Sequence, residues 1–413
     1  MNTKLLRAQY VKDLTENFLP FWEKAIDQKY GGVFTCFTNL GDKKISNVKY
    51  IWSQGRFLWL CSNLIKRKDI FSYKLSSTWE ETAEKTYLFL KNHAVMNNHH
   101  IVYAVEQDGQ KISDQMDISV FADCFYVLGM NAYALQQKDS HILDKALVIY
   151  QSIKQRIKTN EFKSEPYPIP DAFRSHSVPM ILLNVSQELY ETATFLEHDM
   201  QYELYHDVTC YFDDIMSQFT KHNRIVEMLP VHHQDEQSLL ARHVNPGHML
   251  ECIWFMFHSL AHLGLDKDEY YIEKLANLAE FALNKGWDEK YGGLLRFVDK
   301  DGGKPKGEKT QDPFEHLIMD TWDTKLWWPH SEALYTTLLL EKKTGDSKWR
   351  SWYKKIEQYV FQTFPNKDKS IGEWVQIQDR DGKPSEKVVA LPVKDPFHIV
   401  RNYLLIIDLL GDN

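Results

Sequence analysis

Cysteine is scarce and scattered in this chain. Cys36, Cys61, Cys124, Cys210 and Cys252 are odd in number, widely spaced and include no CxxC pair. A disulfide framework is therefore not expected, and buried free thiols in a reducing compartment are the economical reading. Long apolar runs are missing too. The opening MNTKLLRAQYVKDLTENFLPFW mixes acidic and basic side chains without an apolar core. Neither a signal peptide nor a membrane span is expected, and the setting reads as cytoplasmic. Positive charge is in deficit: the formal net charge is -8 and no basic stripe stands out, which argues against a nucleic-acid surface. No Pro/Gly/Ser-rich linker divides the chain, so residues 1–413 are expected to form a single domain. Several catalytic signatures are absent as well. There is no HExxH, no clustered Cys/His spacing, no P-loop, no GxGxxG and no GxSxG, while His99-His100 and His232-His233 fall in polar, loop-like stretches. No metal or redox cofactor is expected. Glycosidase carboxylates stay open, because a pair that meets only in space is invisible in sequence.

Aromatic side chains are abundant: 12 Trp, 21 Tyr and 22 Phe. A large core would use them, and so would a cleft whose rings stack on the flat C–H faces of sugars. Apolar residues recur at three- and four-residue spacing through Trp79–Asn92, Phe121–Leu135, Met180–Phe195, Tyr270–Asn284 and His330–Glu341, which predicts helices. Short β-like inserts punctuate them. Tyr30–Phe37 and Tyr291–Phe297 are each followed by a polar turn, and similar units lie at Ile101–Val105 and Gly372–Ile377. A weaker one falls at Arg224–Leu229, with room for another near Tyr167–Asp171. The repeat of roughly 60–80 residues suits two helices and a turn, and six such units fit the chain. An all-α (α/α)6 barrel with short β-hairpin inserts is the expected fold; an open solenoid would need more regular repeats.

Two segments share a pattern: Asn245-Pro246-Gly247-His248-Met249-Leu250-Glu251 and Asp395-Pro396-Phe397-His398-Ile399-Val400-Arg401. Each offers a capping residue, a proline suited to the first helical position and a histidine two residues later, ahead of an apolar helical run. Both imidazoles should lie in a first turn, where the positive end of the helix dipole lowers their pKa. A neutral imidazole is a base and, once protonated, an acid. Such a histidine also serves as a plain surface residue; the repeated pattern favours chemistry. Glu251, three residues after His248 on the same helical face, could hold that imidazole or contact a sugar hydroxyl. Trp327-Trp328 precede a proline-initiated helix and are either core or a stacking wall. Arg56, at the edge of Lys49-Tyr50-Ile51-Trp52-Ser53-Gln54-Gly55-Arg56, is either a buried ion-pair partner or an oxyanion clamp.

Taken together, YIWSQGR (50–56), NPGHMLE (245–251), KLWWPHSEA (325–333) and FHIVR (397–401) resemble the N-acylglucosamine 2-epimerase family, in order and spacing, over essentially the whole chain. The resemblance implies an (α/α)6 barrel, often a homodimer, acting on a small-molecule amino sugar. It implies that His248 and His398 are the proton-transfer pair, that Arg56 polarises the carbonyl and that Glu251 supports His248. Tyr50, Trp52, Asn184, Trp327, Trp328, His330, Glu332 and Arg401 would lie at the substrate. No cofactor is implied; some members respond to ATP, but no nucleotide motif is present here. The family also includes cellobiose epimerases and aldose–ketose isomerases. These typically carry a His four residues after the Asn, where this chain has Glu188, and the cellobiose branch tends to carry a Trp where this chain has Val393. Both departures point to the N-acylglucosamine branch and to interconversion of N-acetylglucosamine and N-acetylmannosamine. His176 is either a loop residue or a branch-specific contact. A non-catalytic binding protein is the remaining alternative, weakened by the retention of both first-turn histidines.

Overall fold

The computed structural model describes residues 2–71, 73–389 and 391–411. Its helices are α1 (Thr3–Asp13), α2 (Leu19–Ala25), α3 (Ile51–Lys66), α4 (Tyr73–His93), α5 (Val120–Gln137), α6 (Ser140–Thr159), α7 (Ser177–Phe195) and α8 (Gln201–Asp214). The short α9 (Leu239–Arg242) follows, then α10 (Pro246–His262), α11 (Glu269–Gly286), α12 (Pro313–Thr321), α13 (Trp327–Thr344), α14 (Ser347–Thr363) and α15 (Phe397–Leu409). Every helix expected from periodicity lies inside one of these.

Two environments divide the helices. In α14 a single stripe, Trp349, Tyr353, Ile356 and Val360, is buried while the rest faces outward, the pattern of a helix lying on a core. In α5, α10 and α13 nearly every side chain is buried, as befits helices covered all round. Each fully buried large apolar side chain is worth about 1.5–3 kcal/mol relative to exposure. The inner helices α3, α5, α7, α10, α13 and α15 each pack on the next, and α15 returns to α3 to close the ring. Outside them, α4, α6, α8, α11, α14 and α1 pack on α3, α5, α7, α10, α13 and α15 respectively. This is the (α/α)6 barrel. Gly55 and Gly129 let α3 and α5 approach closely: a Cβ on Gly55 would collide with the Phe125 carbonyl, and one on Gly129 with the Gly55 carbonyl.

The β inserts stitch the ring together. Lys49–Tyr50 pairs antiparallel with Ala104–Val105, Phe173–Ser175 with Met228–Pro230, His243–Val244 with Val298–Asp299, and Lys325–Leu326 with Ile377–Gln378. A bridge from Ser119 to Ser164 and a hydrogen bond from Lys394 N to Thr35 O (2.8 Å) take the equivalent places before α5 and α15. Most inserts are therefore not free-standing hairpins; each pairs with the segment that enters an inner helix. The strand expected at Tyr167–Asp171 is also displaced, since the extended residues are Phe173–Ser175. These pairings gather the N-terminal ends of the inner helices at one mouth of the barrel. No helix of the described residues is long and apolar enough to cross a membrane.

Candidate active site

At that mouth lies a cavity of about 230 Å³, reached by Trp52, Arg56, His248, Glu251, Trp327, Trp328, His398 and Arg401 among others. His248 stands in the first turn of α10, whose N-cap Asn245 accepts from the His248 backbone N–H (3.2 Å). His398 stands in the first turn of α15, although there Pro396 is the capping residue, and the Asp395 carboxylate accepts from Phe397 N (2.8 Å). The indole of Trp328 lies against both imidazoles, with centroids 5.1 Å from His248 and 5.5 Å from His398. The two histidines are thus no farther apart than the sum of those distances. Gly247 permits this, since a Cβ there would stand 2.7 Å from Trp328 Cη2. Helix α13 begins at Trp327 itself, two residues before the expected proline start, so both tryptophans are helical.

The two histidines are tuned in opposite directions. His398 donates from Nδ1 to Glu332 Oε1 (2.7 Å), and its Nε2 is 3.8 Å from Asp395 Oδ2. Burial pushes its pKa down to about 3; Glu251 opposes this, while Arg56 and Arg401 reinforce it. It is neutral at pH 7. His248 donates from Nδ1 to Glu227 Oε1 (2.7 Å). Burial again disfavours the cation, but the Glu227 carboxylate more than offsets it and holds the pKa above the ordinary value. The lowering expected from the helix dipole is reversed here, because a carboxylate in hydrogen-bond contact outweighs partial charges spread over a turn. Burial would raise Glu227, yet the imidazoles of His248 and His176 pull it well below the usual carboxylate range.

Glu251 reaches His248 through its charge, which favours the imidazolium, and not through a hydrogen bond. Glu251 pairs with Arg401, whose Nη2 also donates to Glu332 Oε1 (2.7 Å). Glu332 accepts in addition from Trp254 Nε1 (2.7 Å). Glu251, Glu332 and His398 bring possible metal-ligand atoms within 4.8 Å of one another, but the Arg401 guanidinium already bonds both carboxylates and supplies the positive charge. Arg56 Nη1 reaches Asp395 Oδ2 (2.6 Å), and its guanidinium lies over Phe125, 3.9 Å from the ring centre. It is an ion-pair partner that also reaches the cavity.

Other expected contacts lie elsewhere. Tyr50 caps α3 and packs edge-on against Tyr103. His330 is buried, donating to Leu326 O (2.6 Å) and accepting from Leu294 N (2.8 Å), so it fastens an insert to α13. Glu332 lies beneath His398 rather than on the cavity wall. Asn184 faces a second cavity, where its side chain donates to Glu188 (3.3 Å), which also accepts from Trp59 Nε1 (2.6 Å). Burial pushes Glu188 up to about 7. His176 stands in the turn that leads into α7, yet it is fully buried, with Nδ1 3.7 Å from Glu227 Oε2. Val393 lines the cavity. Sequence reading missed Glu227 and Arg296, both cavity residues. The available signal was a lone charge inside an apolar run, Ile225-Val226-Glu227-Met228-Leu229 and Leu294-Leu295-Arg296-Phe297-Val298.

A helical barrel whose mouth sets two oppositely tuned imidazoles against one indole, beside an arginine, has the groups that acid–base chemistry on a small molecule requires. The family model of N-acylglucosamine 2-epimerase (GlcNAc 2-epimerase) matches residues 32–401, and the chain belongs to this family. It is 27% identical over 409 residues to the N-acylglucosamine 2-epimerase of Bos taurus, covering 96% of this chain and 89% of that protein. With the Homo sapiens N-acylglucosamine 2-epimerase it shares 26% identity, covering 96% and 88%. Cellobiose 2-epimerase from Bacillus thermoamylovorans B4167 superposes with a TM-score of 0.79 at 19% identity, covering 98% of this chain and 99% of that one. A D-mannose isomerase gives 0.75 at 16%, covering 98% of both chains.

Proposed function

We propose that this sugar 2-epimerase interconverts N-acetyl-D-glucosamine and N-acetyl-D-mannosamine, using His398 and His248 as a two-base pair within one catalytic domain. The observation that carries the reading is the pair of imidazoles against one shared indole, His398 held neutral by burial and His248 raised by its carboxylate partner. Opening of the sugar ring exposes the C1 aldehyde and makes the C2 hydrogen acidic. Neutral His398 removes that hydrogen through Nε2, since its Nδ1 is committed to Glu332. Charge develops on the carbonyl oxygen, and the Arg56 donors not held by Asp395 stabilise it; one such donor is typically worth 10²–10³ in rate. His248, in which Glu227 favours the protonated form, returns a proton from Nε2 to the opposite face, and in the reverse direction the two exchange roles. Glu251 acts through Arg401, which ties it to the Glu332 carboxylate that orients His398. The family's N-acylglucosamine epimerases support the substrate choice, as do Glu188 and Val393 where the other branches differ. A homodimer in a reducing, cytoplasmic setting completes the proposal, supported by free thiols of which Cys36, Cys61, Cys124 and Cys252 are buried.

The test is solvent exchange. In D2O the product gains deuterium at C2 in both directions, and His248→Asn and His398→Asn each abolish epimerisation. Each variant still exchanges the C2 hydrogen of one epimer only. A single-histidine variant that epimerises at wild-type rate, or intact transfer of the original hydrogen, refutes the two-base scheme. Parallel incubation with N-acetylmannosamine, mannose and cellobiose decides the substrate class.

A further inference from the structure

Arg296 is a cavity cation that the proton-transfer scheme leaves unused. It is 5% exposed. The other two cavity arginines are neutralised within the protein, Arg56 by Asp395 and Arg401 by Glu251 and Glu332. Among the described residues Arg296 has only neutral acceptors. Nη1 donates to Thr321 Oγ1 (2.8 Å), and Nη2 donates to Tyr167 Oη (3.1 Å) and Val389 O (2.9 Å). Guanidinium offers five N–H groups, so donors remain. Holding such a charge out of water beside neutral partners is costly, and burial pulls its pKa below the usual arginine value. A guanidinium fixed in this way gains most from an electron-rich oxygen that a ligand brings.

Its location says which oxygen. Arg296 N donates to Thr324 O (3.2 Å), just ahead of α13, and two residues later Val298 pairs with Val244, just ahead of α10. Arg296 therefore sits between the helix starts that carry Trp328 and His248, close enough for its charge to act on His248. A carbon served by His248 has its substituent near Arg296. In a 2-epimerase that carbon is C2, and on an N-acyl sugar its substituent is an amide, whose carbonyl oxygen projects beyond the reach of a simple hydroxyl.

We propose that Arg296 is the specificity-determining contact for the C2 N-acyl group, donating to its carbonyl oxygen. The assignment rests on the reading of the enzyme as an N-acylglucosamine 2-epimerase. A guanidinium–carbonyl bond is charge-assisted, and a site built to bond a substrate group rejects analogues that lack it.

The experiment measures binding of two open-chain alditols, N-acetylglucosaminitol and glucitol, to wild type, Arg296→Met and Arg296→Lys by calorimetry, with thermal unfolding as the check on folding. Kinetics with N-acetylmannosamine are run alongside. In Arg296→Met, affinity for N-acetylglucosaminitol falls about 10- to 100-fold, the range of one charged hydrogen bond. KM for N-acetylmannosamine rises in parallel, glucitol binding is unchanged, and Arg296→Lys recovers part of the loss. Equal losses for both alditols, or none for either, overturn the assignment. So does tighter wild-type binding of glucose 6-phosphate or glucuronate that is lost in Arg296→Met, which would make Arg296 a receptor for an acidic substituent. If wild type epimerises N-acetylmannosamine and only the selectivity fails, this assignment alone falls. If wild type turns over no N-acyl sugar, the functional reading falls with it.

Discussion

Replacing Glu227 by Gln isolates what the carboxylate does for His248. The Gln carbonyl can still accept from Nδ1, so the tautomer is kept and only the charge is removed. A hydrogen bond between charged groups contributes about 1.5–3 kcal/mol, and one pKa unit corresponds to about 1.36 kcal/mol. The His248 pKa should therefore drop when the charge is removed. Catalysis in either direction needs one proton shared by the two imidazoles, so both directions must respond together. Measured as kcat/KM against pH, the alkaline limb moves to lower pH, with about a 10- to 100-fold loss above it and much less loss on the acid side. The linkage has a matching sign. His248 is raised from 6.5, so its contribution to stability is present below that pH and fades as pH rises through the folded value. Glu227 is lowered from 4.5, so its contribution is present above that pH and is lost on acidification. The variant is destabilised most between those two values, as thermal unfolding at fixed pH would record. An unmoved alkaline limb, with the same loss at every pH, would refute the assignment of Glu227 as the group that raises His248.

Three further outcomes are expected. Arg56→Met lowers kcat about 10²–10³-fold by removing an oxyanion donor; Asp395→Asn added to it restores thermal stability without restoring turnover, since the stability loss comes from the stranded carboxylate. Gly247→Ala places a Cβ 2.7 Å from Trp328 Cη2 and 2.8 Å from Pro329 Cβ. It should cost about 1–3 kcal/mol in denaturant unfolding and lower kcat, because the indole between the histidines must move. His258, His330 and His398 are each held near a pKa of about 3 by burial. The unfolded chain binds protons there that the folded one refuses, so the midpoint of thermal unfolding falls as pH drops below 6.5, and His258→Gln, away from the cavity, flattens that slope.

What was legible in the sequence is what is local. Apolar spacing marked the helices because each buries a face whose period is set by the backbone, and cap, proline and histidine signals placed His248 and His398 in first turns because capping is decided within a few residues. The number of units and the short strands followed for the same reason. The partners of the strands did not, since Lys49 meets Val105 and Lys325 meets Gln378 only once the ring is closed. The charges of the two histidines also escaped a local reading. His248 takes its carboxylate from Glu227, 21 residues away, and His398 takes Glu332, 66 residues away. Glu251 shares a helical face with His248 but lies one turn deeper, where α10 meets Arg401 of α15. Sequence alone therefore determined that His248 and His398 stand in the first turns of helices, but not the full set of side chains at the barrel mouth. Only the tertiary structure decided which imidazole is pushed down and which is raised, because Coulomb interactions depend on distance through space and on burial, and both are set by packing between helices far apart in the chain.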